Sequence, residues 1–476
     1  MSDFLHQQPL EQRETAQVLS RIDIRDDEGN LSAPYVRLVS DAIDSSEVTR
    51  IKALTEDLHE ADIGALIEAL NADQRPRMVE LLGKDFDFTA LTEVDDGIRE
   101  DILDELTPDT VAQGVRDLDI DDAVYILEDL NAADQAQILD RLTAVERVAL
   151  QRSLDYPEHS AGRRMQTDVI ALPPFWNVGQ TIDFLRESND LPERFFEIFV
   201  TDPLHHLLGS VPLDRIMCTK REVELTKIMD TQPETIAATV DQDDAARVFQ
   251  RYNLVSAPVV DEAGRLVGAL TIDDVVDMIG EEAESDIKAL GGVSGDEEVS
   301  DTVATITRSR FGWLFVNLLT AFLAAGVMKL FATELEKMVA LAVLAPIVAS
   351  QGGNAATQSM TVTVRALATQ DLGSWNMSRF ISREVVVGIL NGCAFALITG
   401  ILAGLWFANW GLGVVIGCAM VCNLVAAALA GVLVPLVLDK SGYDPAIASG
   451  TFVTTVTDIV GFFSFLGIAT WWFNLI

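Results

Sequence analysis

Residues 338–364 read MVALAVLAPIVASQGGNAATQSMTVTV. The stretch exceeds the about 20 residues that cross a bilayer, so it predicts a membrane helix long enough to tilt or break. Its middle is not lipid-like. Pro346 is followed by Ser350-Gln351-Gly352-Gly353-Asn354, then by Thr357, Gln358, Ser359, Thr361 and Thr363. Two glycines after a proline weaken a helix and can expose backbone carbonyls, which a membrane tolerates only where they line a cavity. Small polar residues also serve as hydrogen-bonding glue between helices, which suits Ser359 and Thr361; for the Gln-Gly-Gly-Asn core a pore is the better fit. Four further apolar stretches, 311–331, 385–407, 413–438 and 446–473, complete a five-helix α transmembrane domain over 311–476. In the last of them Asp458 is the only acid deep within a span, where a charge is costly and usually functional. Thr451, Thr454 and Thr455 lie seven, four and three residues before it and share its helical face. A structural aspartate satisfied by these threonines is the alternative to a pore carboxylate.

Charge divides the chain in the same way. The 476 residues carry 73 acids and 34 bases, a net of −39, although 49% are hydrophobic. The charge argues against nucleic acid as a partner, and the hydrophobic content against a disordered acidic protein. Residues 311–476 hold seven acids and six bases, a net of −1, which leaves 66 acids and 28 bases, −38, in residues 1–310. Residues 1–30 lack an apolar core and predict no secretory signal. With the N-terminus in the cytoplasm, Arg308, Arg310, Arg365, Arg379, Arg383 and Lys440 fall inside, and Lys329 and Lys337 outside. The excess of inside bases predicts a multi-pass protein of the cell (inner or plasma) membrane with its C-terminus outside. Cys393, Cys418 and Cys422 lie in spans and Cys218 in the soluble half, with no CxxC pair, as a reducing compartment predicts.

In the soluble half an apolar residue recurs every twelve positions: Leu58, Leu70, Leu82, Val94, Leu106, Leu118, Leu130 and Leu142. From the second onward the next residue is Asn71, Gly83, Asp95, Thr107, Asp119, Asn131 or Thr143, mostly helix N-cap types. Pro108 sits where proline starts a helix well. Each unit predicts one short capped helix, and the units stack into an all-α superhelical domain over 58–161, because none buries its face alone. Asp101, Asp104, Glu105, Asp117, Asp119, Asp121 and Asp122 are assigned to its solvated outer face. Residues 1–57 form an N-terminal extension with no assigned role.

A second repeat covers 162–228 and 229–280. Ile198 to Asp214 matches Ala257 to Asp273 at an offset of 59. The second copy reads as a strand, a turn at Glu262-Ala263-Gly264, a strand and an acid-capped helix. The pair resembles tandem CBS domains, α/β modules that commonly bind adenine nucleotides or ions and that point to regulation. The first copy departs from that pattern with His205-His206 where a glycine turn is usual, and ATP binding at the pair is left open. Residues 281–310 join the pair to the membrane as a plug or connecting helix. They begin with Glu281, Glu282, Glu284 and Asp286, break at Gly291-Gly292, and resume with Val299, Val303 and Ile306 before Arg308 and Arg310.

The polar groups of the membrane half are oxygen donors. No His or Cys shares the Asp458 face, and carboxylate, carbonyl and hydroxyl suit hard cations. One carboxylate per chain gives two in a dimer, matching a divalent ion, and Mg2+ sheds water so reluctantly that it would pass largely hydrated. Glycines at four-residue spacing, Gly388/Gly392, Gly400/Gly404 and Gly413/Gly417, allow close helix approach and, with that charge balance, predict a homodimer. APIVASQGGNAATQS in the second span, YDPAIASG ahead of the fifth, its TTVTDIVG core, the CBS pair and the capped superhelix together resemble the MgtE magnesium channels over about 58–476. The resemblance implies a homodimer with its pore at the dimer interface. It implies Asp458 as the pore carboxylate, Gly353, Asn354 and Thr454 along the same path, and Asp444 at the cytoplasmic mouth. It also implies closure by cytosolic Mg2+ bound among Asp241, Asp243, Asp274, Asp277, Glu282 and Asp286, with Ser285 at a position that is often acidic. Mg2+ would then be both transported and regulatory. A secondary carrier coupled to Na+ or H+ is the alternative; five spans, no evident inverted repeat and a single buried acid weigh against it. An enzyme is not expected, since no nucleophile–base pair, phosphate loop or HExxH motif stands out.

Overall fold

The computed structural model describes residues 23–474 apart from 129, 189, 190, 193, 296, 299, 300, 369–373, 443 and 444. They fall into two units that divide between Glu282 and Ala283. The first opens with helices Ala33–Asp44 and Val48–Thr55, then runs through Glu60–Ala69, Gln74–Leu82, Asp96–Glu105, Pro108–Arg116, Ile120–Glu128, Ala132–Leu139 and Ala144–Leu154. The twelve-residue period is the core of this domain. Leu70, Leu82, Val94, Leu106, Leu130 and Leu142 are buried, and Leu58 and Leu118 pack half-buried against them. The residue after the period is an N-cap at Asp95, Thr107, Asn131 and Thr143, each side chain accepting a first-turn N–H. Asn71 and Gly83 differ: Asp73 stands at the start of the Gln74–Leu82 helix, and Gly83 ends it. The helices ahead of the period share its core through Tyr35, Val39, Ile43, Ile51 and Leu54.

The α/β part holds two three-stranded sheets. In the first, β1 (Ala171–Leu172) runs parallel to β2 (Glu197–Thr201), which is antiparallel to β3 (Leu207–Pro212). In the second, β4 (Ile236–Ala237), β5 (Ser256–Val260) and β6 (Leu266–Thr271) repeat that order. Phe199 faces Ser210 and Pro258 faces Ala269, and the ladders slip at Val200/Thr201 and at Val259/Val260, so the offset of 59 holds for both hairpins, whereas Leu172 and Ile236, which pair with Val200 and Val259, are 64 apart. The hairpin turns match as well. Asp261 Oδ1 accepts the Ala263 and Arg265 N–H groups, each at 2.9 Å, around Gly264 at φ +77°. Asp202 Oδ1 accepts those of Leu204 and His206 at 2.8 and 2.9 Å around His205 at φ +62°. The first copy thus builds the glycine-type turn with a histidine, and its departure in sequence is not one in fold. The two tips are joined, Leu266 N–H donating to the His205 carbonyl at 2.8 Å and Leu207 N–H to that of Gly264 at 3.2 Å.

The last helix of the second sheet domain, Ile272–Leu290, runs unbroken past 280 into the first ten residues of the 281–310 segment read from sequence as a plug or connecting helix. It ends at Gly291-Gly292, where Gly292 takes φ +75°. In the second unit the first span is Val303–Leu330, capped by Thr302, and it absorbs the helix expected to stop at Arg310; Val299 lies outside the described residues. The other spans are Val339–Ala368, Ser374–Trp406, Trp410–Lys440 and Pro445–Phe473. At 28 to 33 residues each and 1.5 Å per residue, all five exceed the about 30 Å of hydrocarbon. Two expectations are corrected here. The second span is continuous through Gln351–Asn354, because its glycines receive a neighbouring helix rather than unwind. The paired glycines serve packing within one chain: a Cβ on Gly400 would lie 2.9 Å from the Gly413 carbonyl oxygen, one on Gly388 3.0 Å from that of Leu424, and one on Gly417 3.2 Å from that of Ala396.

Left-handed backbone costs a side-chain-bearing residue about 1–2 kcal/mol. The His205→Gly variant should therefore gain about 1 kcal/mol and raise the thermal midpoint of the soluble unit by about 2 °C, measured by circular dichroism or calorimetry.

Candidate functional site

Two sets of carboxylates stand out, one in each unit. In the membrane unit Asp458 lies near the middle of the Pro445–Phe473 helix, half-buried, and has no hydrogen-bond or ion-pair partner among the described residues. The nearby threonines do not satisfy it. Thr454 Oγ1 donates to the Gly450 carbonyl at 2.9 Å, Thr455 Oγ1 to that of Thr451 at 2.6 Å, and Thr457 Oγ1 to that of Thr454 at 2.9 Å. Hydroxyls bonded to their own helix leave a mid-span carboxylate uncompensated, which is costly unless a cation reaches it.

The second span brings its polar segment to the same place. Gly353 meets the buried Thr457, whose Oγ1 would lie 4.0 Å from a Cβ on the glycine, and Thr357 Oγ1 donates to the Gly353 carbonyl at 3.1 Å. Ser350, Asn354, Thr357, Gln358 and Thr361 are exposed and recur at i, i+4, i+7, i+8 and i+11, one stripe along the helix. Gly353, Asn354, Thr454 and Asp458 thus sit on two packed spans, whereas Asp444 lies outside the described residues. A second acid is held between helices. Glu384, 9% exposed, accepts the Ser359 hydroxyl at 3.0 Å and pairs with Arg383 at 3.2 Å. The sequence reading began the third span at 385 and so missed it; Ser359 is helix–helix glue, as expected.

In the first unit the acids at the start of the Ile120–Glu128 helix face the start of Ile272–Leu290. Asp121 is only 9% exposed, and its buried Oδ1 has no hydrogen-bond partner. Burial, then the charges of Asp274, Asp122 and Asp119, hold it well above the ordinary carboxylate range. Asp122 is pushed up to about 7 by burial and by Asp274, Asp119, Asp87 and Glu60. Asp274 is raised to about 6 by burial and by Asp273 and Asp277, even though it accepts the Thr271 hydroxyl at 2.7 Å. Burial also raises Asp277, helped by Asp273, and Glu93, helped by Asp277 and Glu60. The assignment of Asp121 and Asp122 to a solvated face is therefore corrected, whereas Asp101, Asp104, Glu105 and Asp117 are exposed.

Of the six acids that the resemblance carries into regulation, Asp274 and Asp277 join this face. Asp241 caps the Gln242–Tyr252 helix by accepting the Asp243 N–H at 3.0 Å. Glu282 and Asp286 follow farther along Ile272–Leu290. Among the described residues no three His, Cys, Asp or Glu side chains converge to chelate an ion. The fit is to a hydrated hard cation, which needs one or two carboxylates and keeps its waters. The orphan Asp121 oxygen is the observation that favours it.

The other end of the Ile120–Glu128 helix is clamped. Glu128 pairs with Arg163 and Arg164, each at 3.0 Å, and Arg164 reaches Glu281 at 3.6 Å. The Arg99 and Arg164 guanidinium carbons lie 4.3 and 4.7 Å from the Tyr125 ring centroid. Arg163 and Arg164 stand on a short linker bound to the second sheet domain, Ala161 N–H donating to the Val240 carbonyl and Gly162 N–H to that of Ala238, each at 2.8 Å.

Comparisons with known proteins follow the same division. A family described as a divalent cation transporter matches residues 345–468, the MgtE intracellular N domain matches 58–159, and the CBS domain matches 225–281. The magnesium transporter MgtE of Enterococcus faecalis is 32% identical over 325 residues, 68% of this chain and 72% of that protein. Its namesake from Bacillus subtilis is 28% identical over 425 residues, 89% and 94% of the two chains. A crystal structure of the cytosolic domain of the Mg2+ channel MgtE in complex with ATP is similar at 26% identity and a TM-score of 0.48, over 51% of this chain and 99% of that one.

Carboxylates raised by docking bind protons more tightly there than at their ordinary value of 3.8. Protonation therefore favours the docked superhelix, a contribution complete below about pH 4 and lost as pH rises through the values of Asp274 and Asp122. Without Mg2+, proteolysis between superhelix and sheet domains should slow as pH falls from about 8 to about 5.5, and at pH 8 added Mg2+ should slow it likewise. The Glu128→Ala variant leaves Arg163 buried and unpaired and should lose about 3 kcal/mol in urea unfolding of the soluble unit.

Proposed function

The chain belongs to the MgtE family of magnesium transporters, and from that premise we propose that it is a homodimeric, Mg2+-selective channel closed by cytosolic Mg2+. It is a multi-pass membrane protein with a CBS regulatory domain. The observation that carries the reading is Asp458, a mid-span carboxylate without a partner among the described residues, beside a second span whose exposed stripe is polar. Lipid cannot solvate that stripe. Across a two-fold axis the two Asp458 carboxylates balance one divalent ion, while Asn354, Thr454 and the Gly353 carbonyl accept or donate to its waters. Such a path takes a hydrated ion without demanding a closed protein cage, which suits Mg2+. The N-terminus is cytoplasmic in this scheme, so the acidic soluble unit samples the ion that has entered.

Closure follows from the acidic face. Docked, Asp121, Asp122, Asp274, Asp277 and Glu93 repel one another; cations between them offset the repulsion. Within the second unit, Ala289 near the end of Ile272–Leu290 clusters with Ala356, Met360, Val364 and Ala446 of the second and fifth spans. Mg2+ thus favours the closed state by binding it better.

In liposomes, Asp458→Asn should lower Mg2+ uptake about a hundredfold, equivalent to about 3 kcal/mol of ion binding, while the dimer still purifies. Single-channel currents in the wild type would exclude a carrier, and wild-type flux in Asp458→Asn would exclude the pore role.

A further inference from the structure

We infer that Asn423 is the positioning residue of the ion path: one buried amide fixes how the second and fifth spans lie against each other, and hence how Asn354 and Asp458 face the ion. The inference rests on the pore assignment proposed above. Asn423 lies in the Trp410–Lys440 helix, is fully buried, and donates through Nδ2 to the Val348 carbonyl at 2.8 Å. Its Oδ1 is also buried and has no hydrogen-bond partner. Both neighbouring spans meet it with glycine. A Cβ on Gly352 would lie 2.1 Å from Asn423 Nδ2, and one on Gly461 2.8 Å. Gly352 stands two residues before Asn354, and Gly461 three after Asp458, so each path residue is within one helical turn of a glycine that meets the amide.

Packing alone does not call for this arrangement. Leu424, Met420 and Ala427 fill the same helix face with apolar groups, and an amide taken out of water with one of its atoms unpaired is costly. What the amide adds is register. Among the described residues only the Val348 carbonyl meets Nδ2, so a slide of the second span by one residue breaks the bond. The Gly461 contact holds the fifth span to the same side chain. Three helices are indexed to each other at one point, and two of them carry the path.

The test uses the full-length protein in liposomes, with uptake of Mg2+ and of Ca2+ measured against external concentration. If Asn423 acts only as packing, Asn423→Ala reduces the active fraction and scales both ions equally, with half-saturation unchanged. If it positions the path, half-saturation for Mg2+ should rise about tenfold, equivalent to 1.4 kcal/mol, and the Mg2+/Ca2+ ratio should fall. The Gly352→Ala/Asn423→Ala double variant removes the steric conflict of Gly352→Ala and should recover its yield but keep the shifted half-saturation. Should Asn423→Ala not purify, Asn423→Ser and Gly461→Ala carry the same comparison. Wild-type half-saturation and ion ratio in the purified variants overturn the inference. Asp458→Asn, run in parallel, separates the two failures: lost uptake there with unaltered Asn423 variants overturns positioning alone, and wild-type uptake there overturns the pore and the inference with it.

Discussion

A carboxylate withdrawn from water needs a cation, a donor or a proton, because desolvation penalises its charged form. Among the described residues the need is unmet at Asp458 in mid-span and where Asp121 and Asp122 meet Asp274. Around both, several other polar groups are satisfied. The threonines near Asp458 bond to their own backbone, and the buried Arg99 reaches Asp96 at 2.7 Å and the Val94 carbonyl at 3.3 Å. The unmet groups are therefore where a cation changes the free energy most. A site filled to ten times its dissociation constant favours the state that holds it by about 1.4 kcal/mol. A swing from mostly open to mostly closed takes about 5.5 kcal/mol. About four weak sites reach that swing and one does not, which is why an acidic face fits the task better than a single chelating cage.

Repulsion alone would detach the superhelix rather than move it. The Ile120–Glu128 helix prevents that by what it carries beyond its acids. Asp121, Tyr125 and Glu128 stand at i, i+4 and i+7 and share one face, so the end that is repelled and the end that is clamped belong to one rigid element. Breaking a buried ion pair by removing one partner costs about 3–5 kcal/mol, and Arg163 and Arg164 both hold Glu128. In the proposed closure, the acidic end would open about a fixed point while the linker remains strapped to the second sheet domain.

Much of this was legible in sequence because it is periodic. The twelve-residue spacing named the core of the superhelix, and the offset of 59 held down to the slipped ladder pairs and the turn that His205 completes. Periodicity does not say which face of a short helix meets another domain. Two acids at a helix start are also what the helix dipole favours on a solvated surface, so Asp121 and Asp122 gave no signal that they were buried. Span limits drifted for a related reason. Helical hydrogen bonding continues past the apolar run, so Val303 to Arg310 joined the first span and Glu384 the third. The glycines of the third and fourth spans announced close approach but not the partner, Gly352 read instead as a helix-weakening residue, and only the packed chain shows that Gly352 and Gly461 make room for Asn423.

The use of small residues inside one chain bears on where a second copy meets it. Gly388, Gly400, Gly413 and Gly417 already bring the third and fourth spans together, so the faces free for the proposed dimer lie elsewhere. The second span exposes Ser350, Asn354, Thr357, Gln358 and Thr361. The fifth exposes Phe452, Val456 and Phe463 at i, i+4 and i+11, an apolar stripe on the helix that carries Asp458. Hydrocarbon accepts the second stripe but not the first, since unsatisfied amides and hydroxyls are expensive there. A two-fold arrangement that turns the polar stripes toward each other encloses water and ions between them, and the apolar stripe of each fifth span then seals the contact at its edge. The proposed path is placed between two chains because neither chain alone would keep its own polar stripe out of the lipid.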